Sequence, residues 1–509
     1  MLSVFSRFSL LSLVTALVLT AVTAGTAAAS AGAHEPDDVC IPGVPETDPL
    51  DAGPVEICMS VFQPADAAGN NRVPVLLHSH GWGGSRTSSP GSFQRYLDAG
   101  FGVVSFDQRG FGDSGGKAHV QDPEFEGQDV IAVIDYIAGL DWVERKGPDD
   151  PVLGAIGGSY GGGFQLAGAF TEIARTGDTR FDALAPQITW HSLPESLAPQ
   201  EVVRSSWTSL LYAAGAGAHT STVHAGFAEG VATGDWPATM DEFFRENGPE
   251  FHVEQGRKLD IPVLLRQGTS DNLFALDQAI KNFDRALTGK ARRDSLLVGY
   301  NGGHALPNAL PAGDAVAGDA CSERLAGSYQ ELELRFFAEH LQGAPPELDG
   351  RGQYHLMTAH GDCLTVDSVA PTEDYTLPDI TTTTAAGVPR AVPIAEGPLT
   401  IAGTPYLDGV VTALGLDSRA FLALSVGTTP ADARVIQNNM LPHREESLNL
   451  GAQRSIELPS VAVRVPEGES LFLTVSPVSD MFALHGSRTP GGMQLTDLTV
   501  RLPVPQRTG

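Results

Sequence analysis

The sequence predicts an α/β fold, a mostly parallel sheet with helices on both faces, followed by a separate region built of β-strands alone. Three observations carry this. Apolar runs at residues 73–80, 101–106 and 151–156 alternate with helical stretches, the rhythm of parallel strands joined by crossover helices. The third run ends in Gly157-Gly158-Ser159-Tyr160-Gly161 and passes directly into the apolar stretch 162–169, so a buried strand turns sharply into a helix with a serine at the corner. Beyond residue 399 the pattern changes to short β-forming runs separated by Gly, Pro and Asp.

At 509 residues the chain is long enough for several domains, and its 42% apolar content is ordinary for a globular protein. A formal net charge of −29 argues against nucleic acid as a partner, because phosphate binding draws on Lys and Arg patches that an acidic surface opposes. Residues 1–33 read as an export signal. Arg7 precedes an apolar stretch at 10–22, and small residues follow up to Ala31-Gly32-Ala33, with cleavage expected before His34. No later apolar run reaches the length of a membrane span, so a secreted, extracellular protein is expected. The four cysteines suit two disulfides in an exported chain. Cys40 with Cys58 and Cys321 with Cys363 is the simplest pairing by locality, one of three connectivities. No C-x-x-C pair or zinc-spaced His/Cys cluster is present, so no metal is expected.

In chain order, residues 55–62 form an edge strand. The strand at 73–80 ends in His80-Gly81-Trp82-Gly83-Gly84. A short helix at 92–99 and the strand 101–106 follow. The loop Asp107-Gln108-Arg109-Gly110-Phe111-Gly112-Asp113-Ser114 then places Asp107 and Arg109 as an ion pair holding it. Val130, Ile131, Ile134, Ile137 and Ala138 recur at helical spacing, predicting an amphipathic helix over 126–140. Ligands of such sheets bind at the carboxyl ends of the strands, where Ser159 lies. After a strand at 183–189, residues up to about 258 carry many aromatics and no clear alternation. An insertion of that size predicts a helical cap, taken here as 172–258, with Trp190 as a pocket residue because it follows a strand end.

The strand 261–268 leads into Thr269-Ser270-Asp271, which places Asp271 as the acid of a triad ordered Ser, Asp, His. The next strand, 296–300, leads into Asn301-Gly302-Gly303-His304. Among fourteen histidines, His304 alone stands on a glycine loop after both other members, the context of a base. A closing helix is expected at 330–340, a crossover and linker at 346–398, and a β-sandwich of jelly-roll type at 399–509. The catalytic domain spans 34–345.

These motifs resemble the X-prolyl dipeptidyl-peptidase and cocaine esterase-like family (peptidase S15, CocE/NonD) of α/β-hydrolase fold. The resemblance rests on His80 to Gly84, Asp107 to Ser114, Gly157 to Gly161, the strand entering Asp271, Gly303-His304 and the β-sandwich tail. It implies amide or ester hydrolysis through an acyl-enzyme, with no metal or organic cofactor. By analogy the backbone N–H groups of Trp82 and Tyr160 form the oxyanion hole. The sequence departs from cocaine esterase-like members in having Trp82 where they carry a tyrosine whose side chain binds the oxyanion. No acid of the cap can be assigned to hold a substrate amino terminus, as the dipeptidyl-peptidase members require. The first expectation is a secreted serine hydrolase cleaving X-Pro peptide bonds, with Ser159, Asp271 and His304 catalytic. An acyl esterase is the second, and a non-catalytic binding protein on the same scaffold the third.

Overall fold

The computed structural model describes residues 35–505 apart from 70, 305, 307–309, 311–312, 384–386 and 490; the export signal at 1–33 and its cleavage before His34 lie outside the described residues. A ten-stranded sheet forms the centre of the first part of the chain. Its strands are β1 Asp37–Pro42, β2 Glu56–Phe62, β3 Val75–Ser79, β4 Gly102–Phe106, β5 Leu153–Gly158, β6 Ala183–Gln187, β7 Leu264–Gly268, β8 Leu296–Tyr300, β9 Tyr354–Met357 and β10 Cys363–Val366. The order across the sheet is β1-β2-β4-β3-β5-β6-β7-β8-β9-β10, with β4 through β9 mutually parallel and β1, β2 and β10 antiparallel at the edges.

The central strands are buried on both faces, which is why they read as continuous apolar runs. Helix α1, Glu126–Gly139, lays Val130, Val133, Ile134 and Ile137 against one face, beside α2, Tyr160–Thr176. The helix Tyr329–Gln342 covers the other face with Leu332, Phe336, Phe337 and Leu341. Disulfides join Cys40 to Cys58 across the first strand pair and Cys321 to Cys363 at the far edge, the pairing expected from locality.

Five helices, Leu193–Leu197, Ser205–Ala214, Ser221–Thr233, Ala238–Arg245 and Pro249–Glu254, lie between β6 and β7. The cap therefore begins after β6 and not at residue 172. The helix α2 runs on to Thr176, and β6 is buried in the main sheet.

The expected linker at 346–398 is also corrected. Residues 354–357 and 363–366 complete the main sheet, and 373–377, 380–383 and 390–396 are strands of the C-terminal sheets. Threonine-rich stretches that read as linker are β-branched and pair well at a sheet edge. The C-terminal region is built of a six-stranded, a five-stranded and a two-stranded sheet, their strands paired mainly antiparallel, around a core that includes Ile401, Leu407, Leu422, Leu473 and Val500. A two-residue strand, Gly313–Asp314, from the loop that follows His304 joins one of these sheets beside Arg434–Ile436.

Candidate active site

The serine corner is built by close backbone approach. Ser159 has φ 58° and ψ −121°, a conformation that costs a non-glycine residue about 1–3 kcal/mol and marks functional turns. Its neighbours must be small. A Cβ on Gly157 would stand 2.6 Å from the Gly161 carbonyl oxygen, and one on Gly161 would stand 2.3 Å from the Ser79 carbonyl oxygen. The Ser159 N–H donates to the Gln187 carbonyl at 2.9 Å, while its own carbonyl accepts from Gly162 and Gly163 at 2.8 and 2.9 Å. The hydroxyl thus sits at the N-terminus of α2, where free N–H groups and the helix dipole favour negative charge.

The structure brings Ser159, Asp271 and His304 into one row. His304 Nε2 lies 2.9 Å from Ser159 Oγ, and its Nδ1 lies 2.6 Å from Asp271 Oδ2. Asp271 is fully buried, and its orientation is fixed because Oδ1 accepts the N–H groups of Leu273 and Phe274 at 2.9 and 3.0 Å. That leaves Oδ2 for the imidazole, with Gln267 Nε2 also donating to it at 3.3 Å. The rings of Phe274 and Trp207 stand edge-on to His304 at 5.2 and 5.8 Å between centroids.

Asn272 ties this corner to the cap. Its Oδ1 accepts from Trp207 Nε1 at 2.9 Å, and its carbonyl accepts from the buried guanidinium of Arg204 at 2.7 Å. Burial holds that guanidinium down to about 10. Nothing in periodicity pointed to Trp207, Phe274 or Asn272, although Asn272 and Phe274 stand one and three residues after Asp271 in sequence.

Facing the elbow, the loop after β3 brings Gly81 close enough that a Cβ there would lie 3.8 Å from Ser159 Cβ. The Trp82 indole N–H donates to the Leu211 carbonyl of the cap at 2.9 Å, so the side-chain donor of this residue is taken up by the cap. The Tyr160 N–H belongs to the first turn of α2, where no intrahelical acceptor exists. His80 supports the loop from beneath. Its Nε2 accepts the Gln108 N–H at 3.1 Å and its Nδ1 faces the Gly81 carbonyl at 2.9 Å, a pattern that assigns the neutral ring with the proton on Nδ1. Burial pushes its pKa down, which suits that neutral state.

The expected ion pair between Asp107 and Arg109 is not formed. Asp107 instead accepts from the backbone and guanidinium of Arg86, and from the Asp113 N–H at 2.9 Å. Arg109 turns the other way, to Asp129 at 2.8 Å, Glu46 at 3.3 Å and the Val44 carbonyl at 2.6 Å. Both acids and the arginine are buried, so each charge needs a partner held by the fold. Arg86, Glu46 and Asp129 lie far from the loop in sequence, and no local spacing announced them.

Between the serine and the cap lies a cavity of about 180 Å³. Ser159, Trp82, Leu193, Val223, Met240 and Phe244 are among its lining residues. Trp190 lines it too, with its indole N–H donating to the Asn247 carbonyl at 2.7 Å. Among the described lining residues the one acid is Asp235, and it is paired with Arg488 at 3.0 Å and Arg419 at 3.4 Å. Glu195, Asp277 and Glu457 are the described acids that converge as metal ligands would, but Lys281 Nζ sits among them, at 3.0 Å from Asp277 and 3.3 Å from Glu457.

The sheet, the serine elbow and the cap define the chain as a hydrolase of α/β-hydrolase architecture. Residues 52–305 match the X-Pro dipeptidyl-peptidase (S15 family), and the chain belongs to that family through its catalytic part. Among solved structures it is similar to a CocE/NonD family hydrolase from Staphylococcus aureus, with a TM-score of 0.62, 13% identity, and 92% of this chain and 94% of the other covered. An aminopeptidase from a marine sediment archaeon, Thaumarchaeota archaeon, has a TM-score of 0.60 at 14% identity, with 92% and 96% covered. An uncharacterised 31.7 kDa protein of Escherichia coli is 31% identical over 124 residues, 24% of this chain. The chain spans about two fifths of the length of the curated relatives it matches. The family is one of peptidases and esterases, and the binding-protein alternative is set aside. No helix among the described residues is long and apolar enough to cross a membrane.

Proposed function

We propose that the protein is an exported serine hydrolase that cleaves esters with an apolar acyl group through an acyl-enzyme. Ser159 Oγ attacks the carbonyl carbon while its proton passes to His304 Nε2. Asp271 holds the Nδ1 proton and stabilises the imidazolium. The oxyanion accepts the N–H groups of Trp82 and Tyr160, a donor of this kind being worth about 3 kcal/mol in the transition state. His304 then protonates the leaving oxygen, and water repeats the sequence to release the acid. Residues 1–33, together with two disulfides, support export.

The lining of the cavity carries the choice of ester. A peptidase that binds a free amino terminus must offset the cost of burying an ammonium with an available carboxylate. The one described acid in this lining already has two arginine partners. An apolar acyl chain needs no such partner. The second reading, X-Pro peptide cleavage, is favoured by the family match over residues 52–305. Nitrophenyl esters from acetyl to decanoyl, run against X-Pro-anilides, separate the two. The proposal expects kcat/KM to rise with acyl length until the cavity is filled, and little anilide cleavage. Anilide turnover exceeding that of every ester would replace the first reading by the second.

A further inference from the structure

The loop that carries His304 is held from two sides, and one side is the C-terminal β-region. The Leu306 carbonyl, two residues beyond the histidine, accepts the side-chain amide of Asn272, the neighbour of Asp271, and the side-chain amide of Asn438 at 2.7 Å. The Leu306 N–H in turn donates to the His304 carbonyl at 2.9 Å, so a displacement of Leu306 is passed directly to the histidine. Asn438 stands where the β-region meets this loop. Gly313–Asp314 pairs with residues 435–436, and a Cβ on Gly313 would lie 2.3 Å from Asn438 Oδ1. The preceding residue anchors the arrangement. Gln437 is fully buried and donates to Asn301 Oδ1 at 3.0 Å and to the Met357 carbonyl at 2.9 Å, and its own Oε1 accepts from Ala462 at 2.8 Å. Gln437 and Asn438 have φ of 50° and 57°, so two successive side chains in the left-handed region are held by these bonds.

We propose that Asn438 is a positioning residue for the base: the β-region supplies, through its side-chain amide on the Leu306 carbonyl, half of the clamp that keeps His304 Nε2 on Ser159. The inference rests on the proposed triad for its catalytic readout, and its geometric part stands apart from it. Asparagine suits the position because it tolerates positive φ and still offers a donor. Glycine tolerates the same φ and offers none, so Asn438→Gly removes the bond while leaving the backbone conformation cheap.

The test compares the wild-type full chain with Asn438→Gly, and with Asn272→Ala as the variant that removes the other half of the clamp. The expectation for Asn438→Gly is a fall of about tenfold in kcat and in the rate of fluorophosphonate labelling, with KM within about twofold and the thermal midpoint little changed. Hydrogen exchange over the peptide carrying His304 is expected to quicken in both variants. A variant with wild-type kcat and exchange overturns the proposal, and so does a loss of activity that follows the fraction unfolded. Should the wild-type protein fail to label at Ser159, the triad is at fault. Exchange then still decides the clamp, faster in Asn438→Gly if it exists and unchanged if it does not.

Discussion

Replacing Asp271 by Asn probes the row of three side chains where the structure leaves least freedom. The carboxylate cannot rotate without losing two backbone donors, Leu273 and Phe274, to its Oδ1. An asparagine therefore keeps its oxygen there and turns its NH₂ toward His304 Nδ1, which now lies 2.6 Å from a carboxylate oxygen. Facing a donor, Nδ1 has to accept, and the ring proton moves to Nε2. Nε2 lies 2.9 Å from Ser159 Oγ and in that tautomer can no longer take its proton. The loss is that of a wrong-tautomer triad, about 10⁴-fold in kcat, or roughly 5 kcal/mol of transition-state stabilisation. KM should move little, because Asp271 is fully buried and is not among the residues that line the cavity. Stability should fall by about 1 kcal/mol, since the new NH₂ also meets Gln267 Nε2, another donor. Steady-state hydrolysis of the best ester, with a denaturant melt on the same sample, reads both quantities. A kcat reduced by less than 100-fold in a folded variant would refute the reasoning.

Gly161→Ala puts a methyl group 2.3 Å from the Ser79 backbone carbonyl oxygen. It should cost about 2–3 kcal/mol in a urea melt and most of the activity, whereas a normal melt would show that the elbow is looser than described. Glu126, buried behind Tyr160 and surrounded by Asp122, Asp129 and Arg109, is pushed up by burial from 4.5 to about 8. The unfolded chain gives up that proton near 4.5, so unfolding releases it across the interval, and the Glu126 contribution to stability should fall as pH rises from about 4.5 to about 8. Glu126→Gln should flatten that slope in melts taken across the interval; an unchanged slope would show that the carboxyl titrates normally. The disulfides close sequence separations of 18 and 42 residues, worth about 3 and about 4 kcal/mol by loop entropy. Cys321→Ser/Cys363→Ser should therefore lower the urea midpoint more than Cys40→Ser/Cys58→Ser, and the reverse order would contradict the entropic account.

The three side chains that meet in one row were legible because the context of each is local. A strand ending in small residues with a serine, an acid just past a strand, and a histidine on a glycine loop all declare themselves within about ten residues. The large sheet was legible for a related reason, since strands buried on both faces need uninterrupted apolar runs. What escaped is long-range. Arg86 and not Arg109 meets Asp107, and Arg109 meets Asp129 and Glu46, partners chosen by the crossing of loops that no spacing encodes. Tyr354–Met357 is only four residues long, too short to separate from a turn, and finds its place because β8 offers an unpaired edge. Asn438 is an ordinary polar residue in its own stretch. Its bond to Leu306 spans 132 positions and exists only once the β-region has docked.

The most direct test of the central claim is mass-spectrometric mapping of a fluorophosphonate adduct on the full chain. The account predicts one adduct, on Ser159, formed by the wild-type protein, absent from Ser159→Ala and strongly slowed in His304→Ala. A folded protein that forms no adduct, or one that carries it on another serine and still reacts after Ser159→Ala, would contradict it.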